Sequence, residues 1–219
     1  MKNTFNFYAL AVKLIAIAGL GLLLSACAVG NQYDYKSQPI KVGLDTEQKV
    51  AVAVVDQRPY IVSGDKTPNF VGLQRGGFNN PFDVTTLSNE PLADSISSAI
   101  VASLKHKNID AEVLKTKASS DISETLKTLD VSEFTRLLLI HFSEWKSDTL
   151  VNVKFTYTIG AKVTDNNLAI LAENSLLDKK VLGGSFVNAP EFARTNVPVA
   201  FQKVIEELLN DPKIIDALK

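Results

Sequence analysis

The sequence predicts an α+β fold, a two-layer sandwich in which a mixed β-sheet carries helices on one face. Val50 to Val55 is a continuous apolar run rich in β-branched residues, typical of a central strand covered on both faces. Residues 151–163 alternate apolar and polar side chains, as expected of an antiparallel strand with one buried face. Between Leu92 and Leu104 apolar side chains recur at helical spacing. Together these patterns predict sheet and helix in one domain.

The first helix is predicted to begin near Asn89, because Asn is a favoured N-cap and Pro91 suits a first turn. Asn108 can adopt the left-handed backbone that ends a helix. Asp121-x-x-Glu124 has the spacing of a capping box and predicts a second, short helix. A short strand, 111–114, is expected between the two helices.

The second half of the chain predicts three strands and a last helix. Arg136 to Trp145 contains an apolar run, and the alternating strand 151–163 follows it. Asp165-Asn166-Asn167 favours a turn, which predicts a hairpin into a strand from Ala169 to Leu182. The last helix is expected from about Pro198 to Asn210. The predicted order is therefore β-α-β-α-β-β-β-α.

The N-terminus has the features of an export signal. A basic start is followed by the uncharged apolar run Leu14 to Leu24, which is too short for the roughly 20 residues that a spanning helix needs. The run ends in Leu24-Ser25-Ala26-Cys27, which resembles the lipobox of bacterial lipoproteins. The resemblance implies cleavage between Ala26 and Cys27 and covalent lipid on Cys27. We therefore expect a signal peptide at 1–26, a tether at 27–48 and one globular domain at 49–219.

The lipobox resemblance also implies a location. Several acyl chains anchor a protein stably, whereas one gives only marginal binding. In enterobacterial lipoproteins an Asp after the lipidated Cys retains the protein in the inner membrane, and this chain has Ala28 there. The expected location is the periplasmic face of the outer membrane. The alternatives are an ordinary signal peptide or an uncleaved anchor, which would place Lys13 mid-membrane at a cost of about 2.5–3.5 kcal/mol.

Composition argues against several classes of protein. The formal net charge is −1 and the basic residues are scattered, so no nucleic-acid surface is expected. A single Cys excludes an internal disulfide, and one Cys with two His argues against a structural zinc site. We expect no metal and no cofactor other than the covalent lipid.

Residues 57–88 are predicted to form one long loop, because Pro and Gly recur through it. Loops of this length are usually functional or disordered, and its aromatic residues indicate packing on the domain or on a partner. The candidate binding residues in and beside it are Asp56, Arg58, Tyr60, Phe70, Arg75, Phe78 and Phe82.

Asp56 and Arg58 follow the first strand, where open α/β sheets often place their sites. They could bind or polarise a ligand, or could instead satisfy backbone groups of the following loop. Gly72 to Gly77 could cradle an anion, but it lacks the Gly-Lys-Ser/Thr ending of a P-loop and is better explained as a flexible loop.

No catalytic residues are predicted. His106 and His141 have neither a Gly-x-Ser-x-Gly nucleophile elbow nor a free Cys to act with, because Cys27 carries the lipid. Trp145 is expected to pack in the core or at its rim.

The mature chain also resembles the YajG-like lipoproteins of Gram-negative bacteria. The matching features are Cys27, Val54-Val55-Asp56-Gln57-Arg58 after the first strand, the helix 92–107 with the strand 111–114, the strand 151–163 and the apolar C-terminal helix. The chain departs from that family in the segment between Arg58 and Asn89. The resemblance implies location and fold, and no catalytic residue is carried over from it.

The leading hypothesis is a non-enzymatic, membrane-tethered lipoprotein that binds an envelope protein through Tyr60 to Phe82 and the neighbouring end of the sheet. The second hypothesis is a lipid-binding or transporter-accessory domain, with a groove for acyl chains between sheet and helix. A third is a hydrolase that uses Asp56. The sequence leaves the oligomeric state open.

Overall fold

The structure, a computed structural model, describes residues 30–219. In this part of the chain eight strands form one mixed sheet: β1 (Gln32–Tyr33), β2 (Val50–Asp56), β3 (Phe70–Arg75), β4 (Pro81–Thr86), β5 (Ala111–Leu114), β6 (Arg136–Thr149), β7 (Asn152–Thr164) and β8 (Ile170–Gly184). The same residues contain five helices: α1 (Pro59–Val62), α2 (Leu92–His106), α3 (Ile122–Thr128), α4 (Ala189–Leu209) and α5 (Pro212–Leu218).

Strand β6 organises the sheet. Its first half, residues 136–142, pairs in parallel with β2, and its last residues, 147–149, pair in parallel with β3 on the same side. A register shift between Phe142 and Glu144 marks the change from one neighbour to the next. On its other side β6 is antiparallel to β7, which is antiparallel to β8. Beyond β2 lies β5, and beyond β3 lie β4 and then β1.

Alternate residues of β2 contact two different apolar clusters. Val50, Val52 and Val54 belong to the main core with α2, α4 and α5, whereas Ala51, Ala53 and Val55 belong to a second cluster on the other face. Side chains of α3 pack against this second cluster. The prediction of helices on one face is therefore wrong around β2, because a strand that is apolar at every position must be covered twice.

The predicted loop 57–88 is also corrected. It contains α1, β3 and β4, and the two strands form an antiparallel hairpin. Gly72 lies inside β3 and not in an anion-binding loop, and a Cβ added there would fall 2.6 Å from the Ser147 carbonyl oxygen. Glycine is required because the backbone of β6 approaches so closely. A short strand interrupted by glycine has the sequence pattern of a loop.

Residues 31–48, which we expected to be part of a tether, pack against the domain. Apart from β1 this segment contains no strand or helix, yet it buries Tyr33, Tyr35, Ile40, Val42 and Leu44. Helix side chains satisfy its backbone: Ser103, Glu206 and Asn210 accept hydrogen bonds from the amides of Ile40, Lys41 and Gly43. The globular unit accordingly begins at Asn31.

Helix boundaries differ from the prediction at two places. Helix α4 begins at Ala189, where the Asn188 side chain accepts from the Glu191 amide, and Pro198 lies within it. The predicted start at Pro198 is wrong, although proline favours a first turn. Asn89 does not cap α2, because its φ of 59° is left-handed and Pro91 holds the N-cap position. Asp121 does cap α3, accepting from two backbone amides.

Candidate binding surfaces

The Asp56–Arg58 pair is buried and fully engaged. Arg58 is 0% exposed, and its Nη2 lies 2.6 Å from Asp56 Oδ2. Its Nη1 donates to the carbonyl oxygens of Phe70 at 2.6 Å and Trp145 at 3.3 Å, and Nη2 also donates to that of Pro68. Both Asp56 carboxylate oxygens accept from Arg58. Of the two interpretations, the structure shows the second: the pair satisfies backbone groups.

This set of contacts, called here the Arg58 network, joins α1, β2, β3 and β6. It leaves Asp56 no route to a substrate, because the carboxylate is 3% exposed and occupied by a guanidinium. The hydrolase hypothesis, which required a reactive Asp56, is inconsistent with this geometry.

Tyr60 and Phe70 also contribute to the fold. Their rings meet edge to face at 5.6 Å, and Phe70 is buried. The Tyr60 hydroxyl donates to Glu144 Oε1 at 2.7 Å. Burial raises the pKa of this hydroxyl far above its ordinary value, and the neighbouring Arg58 charge opposes that effect in part. The two aromatic rings therefore face the domain and not a partner.

Arg75, Phe78 and Phe82 lie at or next to the turn of the β3–β4 hairpin. Arg75 makes a two-pronged ion pair with Asp148, at 2.7 Å and 2.6 Å, and the hydrogen bond lowers the pKa of that carboxyl group. Phe82 is half-buried and lies over Gly76. Phe78, at the turn itself, is 94% exposed. Of the four aromatic residues predicted to bind, only Phe78 is fully available to a partner.

Trp145 and His141 lie apart from each other, and His106 lines the surface cleft described below. Trp145 is buried in an aromatic cluster that includes Phe155 and Phe201, at ring-centroid distances of 5.0 Å and 5.8 Å. His141 lies over Gly160, on the face of β6 that also carries Leu137 and Leu139, and a Cβ on Gly160 would fall 2.5 Å from its Nε2. Burial lowers the pKa of His141, and the Lys162 charge lowers it further.

A surface cleft of about 530 Å³ lies between the packed N-terminal segment and α2. Its lining includes the apolar side chains of Pro39, Ile40, Val42 and Ala102 and the basic side chains of Lys36, Lys41, His106 and Lys107. The expected acyl-chain groove between sheet and helix is instead filled by core side chains. The sequence patterns give no indication of this cleft, because segment 36–42 has the composition of a tether.

The three most exposed large apolar side chains of residues 30–219 lie in connections at one end of the sheet. The end of β3 pairs with the end of β6, and β7 begins opposite the end of β8. The β3–β4, β6–β7 and β8–α4 connections therefore lie at the same end. Their exposed apolar residues are Phe78 (94%), Leu150 (51%), Phe186 (95%) and Val187 (98%), which we call the loop-end surface. Periodicity reasoning missed the last three because they lie outside strands and helices.

The chain enters β1 from this same end. Gln32 pairs in parallel with Thr85, so β1 runs in the direction of β4, which begins beside the end of β3. Asn31 itself lies beside the last residues of β4 and the first turn of α4, since its carbonyl accepts from the Thr85 amide and its side chain donates to the Pro190 carbonyl at 2.6 Å. The predicted lipidation residue, Cys27, and the cleavage site at Ala26 lie outside the described residues.

Residues 30–219 contain neither a membrane-spanning helix nor a cluster of metal ligands. None of their helices is both long and apolar enough to cross a bilayer. Within that range no group of three His, Cys, Asp or Glu side chains is placed to hold a metal ion.

No protein-family model matches the chain, and no curated protein matches it. Among solved structures, protein XCC0632 from Xanthomonas campestris, of the DUF330 family, has a similar fold: the TM-score is 0.51 at 12% identity, over 81% of this chain and 91% of that one. At this identity the likeness concerns the fold alone.

Two other solved structures give lower scores. A PelC dodecamer from Paraburkholderia phytofirmans has a TM-score of 0.42 at 16% identity, covering 84% of this chain and 95% of that one. Lipoprotein GNA1162 from Neisseria meningitidis has a TM-score of 0.28 at 9% identity, covering 71% and 96%. Scores this low support no conclusion about this chain. The YajG-like resemblance stays a prediction.

Proposed function

We propose that this chain is a lipid-anchored protein of the bacterial envelope that acts as a binding or structural component. The signal peptide is removed before Cys27, the thiol carries lipid, and the domain faces the periplasm from the outer membrane. The proposal assigns no catalysis to the domain, since the candidate catalytic carboxylate, Asp56, is occupied by Arg58.

The spacing between Cys27 and the folded domain carries the proposal. Asn31 is already held by hydrogen bonds to Thr85 and Pro190, and only four peptide units separate it from Cys27. A chain of that length spans at most about 14 Å. A domain that begins so soon after a lipobox is suited to work at a membrane surface and not at a distance from it.

A protein partner would find a free strand edge with exposed apolar side chains on β8. This edge strand pairs only with β7 among the described strands, and Leu177 and Val181 are 80% and 61% exposed on it. Unpaired edge strands can accept an added strand from another chain. This differs from the binding loop that the sequence predicted, of which only Phe78 is fully exposed.

Substituting Cys27→Ser in the full chain tests the anchor. The unsubstituted protein should float with membranes and carry the mass of covalent acyl chains at Cys27. The variant should remain unprocessed or appear in the soluble fraction, because a hydroxyl cannot take the thioether-linked lipid. Ala28→Asp serves as a matched control. It should keep the lipid but retain the protein in the inner membrane, because an Asp after the lipidated Cys acts as a retention signal in enterobacterial lipoproteins. Unchanged mass and fractionation of Cys27→Ser would contradict the proposal.

The cleft beside α2 favours a second candidate function, the binding of an anionic amphiphile. Its volume of about 530 Å³ falls in the range of small-molecule sites, and it combines apolar walls with Lys41 and Lys107. Lys107 is partly engaged, since it donates to the carbonyl oxygens of Val42 and Leu44. Such a ligand would place its chain on the apolar wall and its charge near the lysines.

Filling the cleft tests this second function. Ala102 is exposed on α2 and lines the cleft, so Ala102→Trp should fill it without disturbing the core. Native mass spectrometry should find a bound amphiphile on the unsubstituted protein and none on the variant. Ala169→Trp, at an exposed position of the β7–β8 turn, should retain it. Finding no amphiphile on any of the three proteins would reject this function.

A further inference from the structure

The loop-end surface combines features that define a site of membrane contact. Phe78, Phe186 and Val187 are more than nine-tenths exposed, the highest values among the large apolar side chains of the described residues. They come from two connections over a hundred residues apart in sequence, and Leu150 adds a third. Scattered single apolar residues are normal on a protein surface, whereas several gathered at one end indicate an interaction site.

The shape of the surface favours a bilayer over a protein partner. Each apolar side chain stands on a short connection between elements, and its neighbours in sequence are polar or small: Gly77 and Asn79 beside Phe78, and Ser185 and Asn188 around Phe186 and Val187. Separate apolar tips with polar shoulders can enter the headgroup region while the polar groups stay hydrated. Aromatic side chains commonly occupy this boundary.

The position of Asn31, where the globular unit begins, supplies the independent argument. The chain enters β1 from the end of the sheet that carries these loops, and Asn31 is bonded to Pro190, which follows the Phe186 connection. With lipid on Cys27, at most about 14 Å of chain separates Asn31 from the bilayer. The anchor therefore directs this end of the sheet, and not the β7–β8 turn, toward the membrane.

We propose that Phe78, Leu150, Phe186 and Val187 insert into the interface of the membrane that holds the lipid anchor, and so fix the orientation of the domain. The inference rests on the proposed function, because it assumes lipid at Cys27. It adds a second, reversible contact to the covalent one. In this orientation β8 extends away from the bilayer and presents its free edge to the periplasm.

Depth-dependent fluorescence quenching tests the orientation. The lipidated protein is reconstituted into vesicles of phosphatidylethanolamine and phosphatidylglycerol, with and without brominated acyl chains. Phe186→Trp places an indole at the loop-end surface, and Ile170→Trp places one at the opposite end of β8, on the order of 45 Å away. Ile170 is a matched control because it is also apolar and exposed, at 56%. The buried Trp145 gives the same background in both.

Bromolipid should quench the indole of Phe186→Trp several-fold more strongly than that of Ile170→Trp. Adding Phe78→Ser and Val187→Ser to Phe186→Trp should reduce this quenching, and circular dichroism should remain unchanged because the substituted side chains have few contacts. If the protein floats with the vesicles but bromolipid quenches both indoles equally, the proposed orientation is wrong while the lipid anchor is supported. If the protein does not float with vesicles, the anchor and this inference are both overturned.

Discussion

Two regions of this sheet are stabilised in different ways. Around β2 and the first half of β6, strands that are apolar at almost every position are covered on both faces by apolar clusters. Around β3 and the end of β6, the buried centre is a charged side chain, Arg58, bonded to Asp56 and to backbone carbonyls. The first region rests on burial of apolar surface, and the second on complete satisfaction of a buried charge.

The difference determines how each region tolerates change. Shortening one apolar side chain in the first region removes only part of a large buried area. Removing one member of the Arg58 network leaves a charge or a carbonyl buried without compensation, which costs more than the bond itself contributed. The second region should therefore be the more sensitive to the loss of a single polar side chain.

Arg58→Met is expected to give the largest effect, a loss of about 3–5 kcal/mol in the free energy of unfolding. It leaves the Asp56 carboxylate buried without its cation and removes donors from the Phe70 and Trp145 carbonyls. Chemical denaturation followed by circular dichroism measures it.

Two controls make the Arg58 prediction specific. Asp56→Leu combined with Arg58→Met removes both charges and should recover much of the loss, because no unpaired ion remains. Arg194→Met breaks a two-pronged pair of similar geometry with Glu191 that lies in solvent, and its effect should be too small to resolve. A loss from Arg58→Met as small as that from Arg194→Met would show that the network does not stabilise the fold.

The same contrast explains what could be predicted from the sequence. The strands 50–56, 136–149 and 152–164 can be recognised from local patterns, because a strand covered on both faces is a continuous apolar run and a strand with one buried face alternates. Strands β3 and β4 do not, since Gly72 interrupts one and Pro81 begins the other. Their position depends on Arg58 and on contact with β6, which are distant in sequence.

The candidate sites follow the same rule. The Asp56–Arg58 motif is recognisable by its place after a strand, but its role depends on burial that the sequence does not reveal. Phe186 and Val187 escape pattern-based prediction because connections have no period. Cys27 remains a prediction from a local motif alone.

The segment 31–48 offers the last and smallest test of the comparison, because it is held by polar contacts at the surface of an apolar core. Asn210→Ala removes a side chain that accepts from the Gly43 amide at 2.6 Å and donates to the Lys41 carbonyl at 2.8 Å. The two hydrogen bonds to the segment, of ordinary strength, predict a loss of about 1–2 kcal/mol; the third, to the Glu206 carbonyl, stays within the last turn of α4. Hydrogen exchange should become faster at Gly43 and its neighbours, and β2 should remain protected.

Asn174→Ala provides a matched control, since that side chain accepts only from the next residue's amide. Equal exchange at Gly43 in both variants would mean that burial of Ile40, Val42 and Leu44, and not the polar contacts, holds the segment in place.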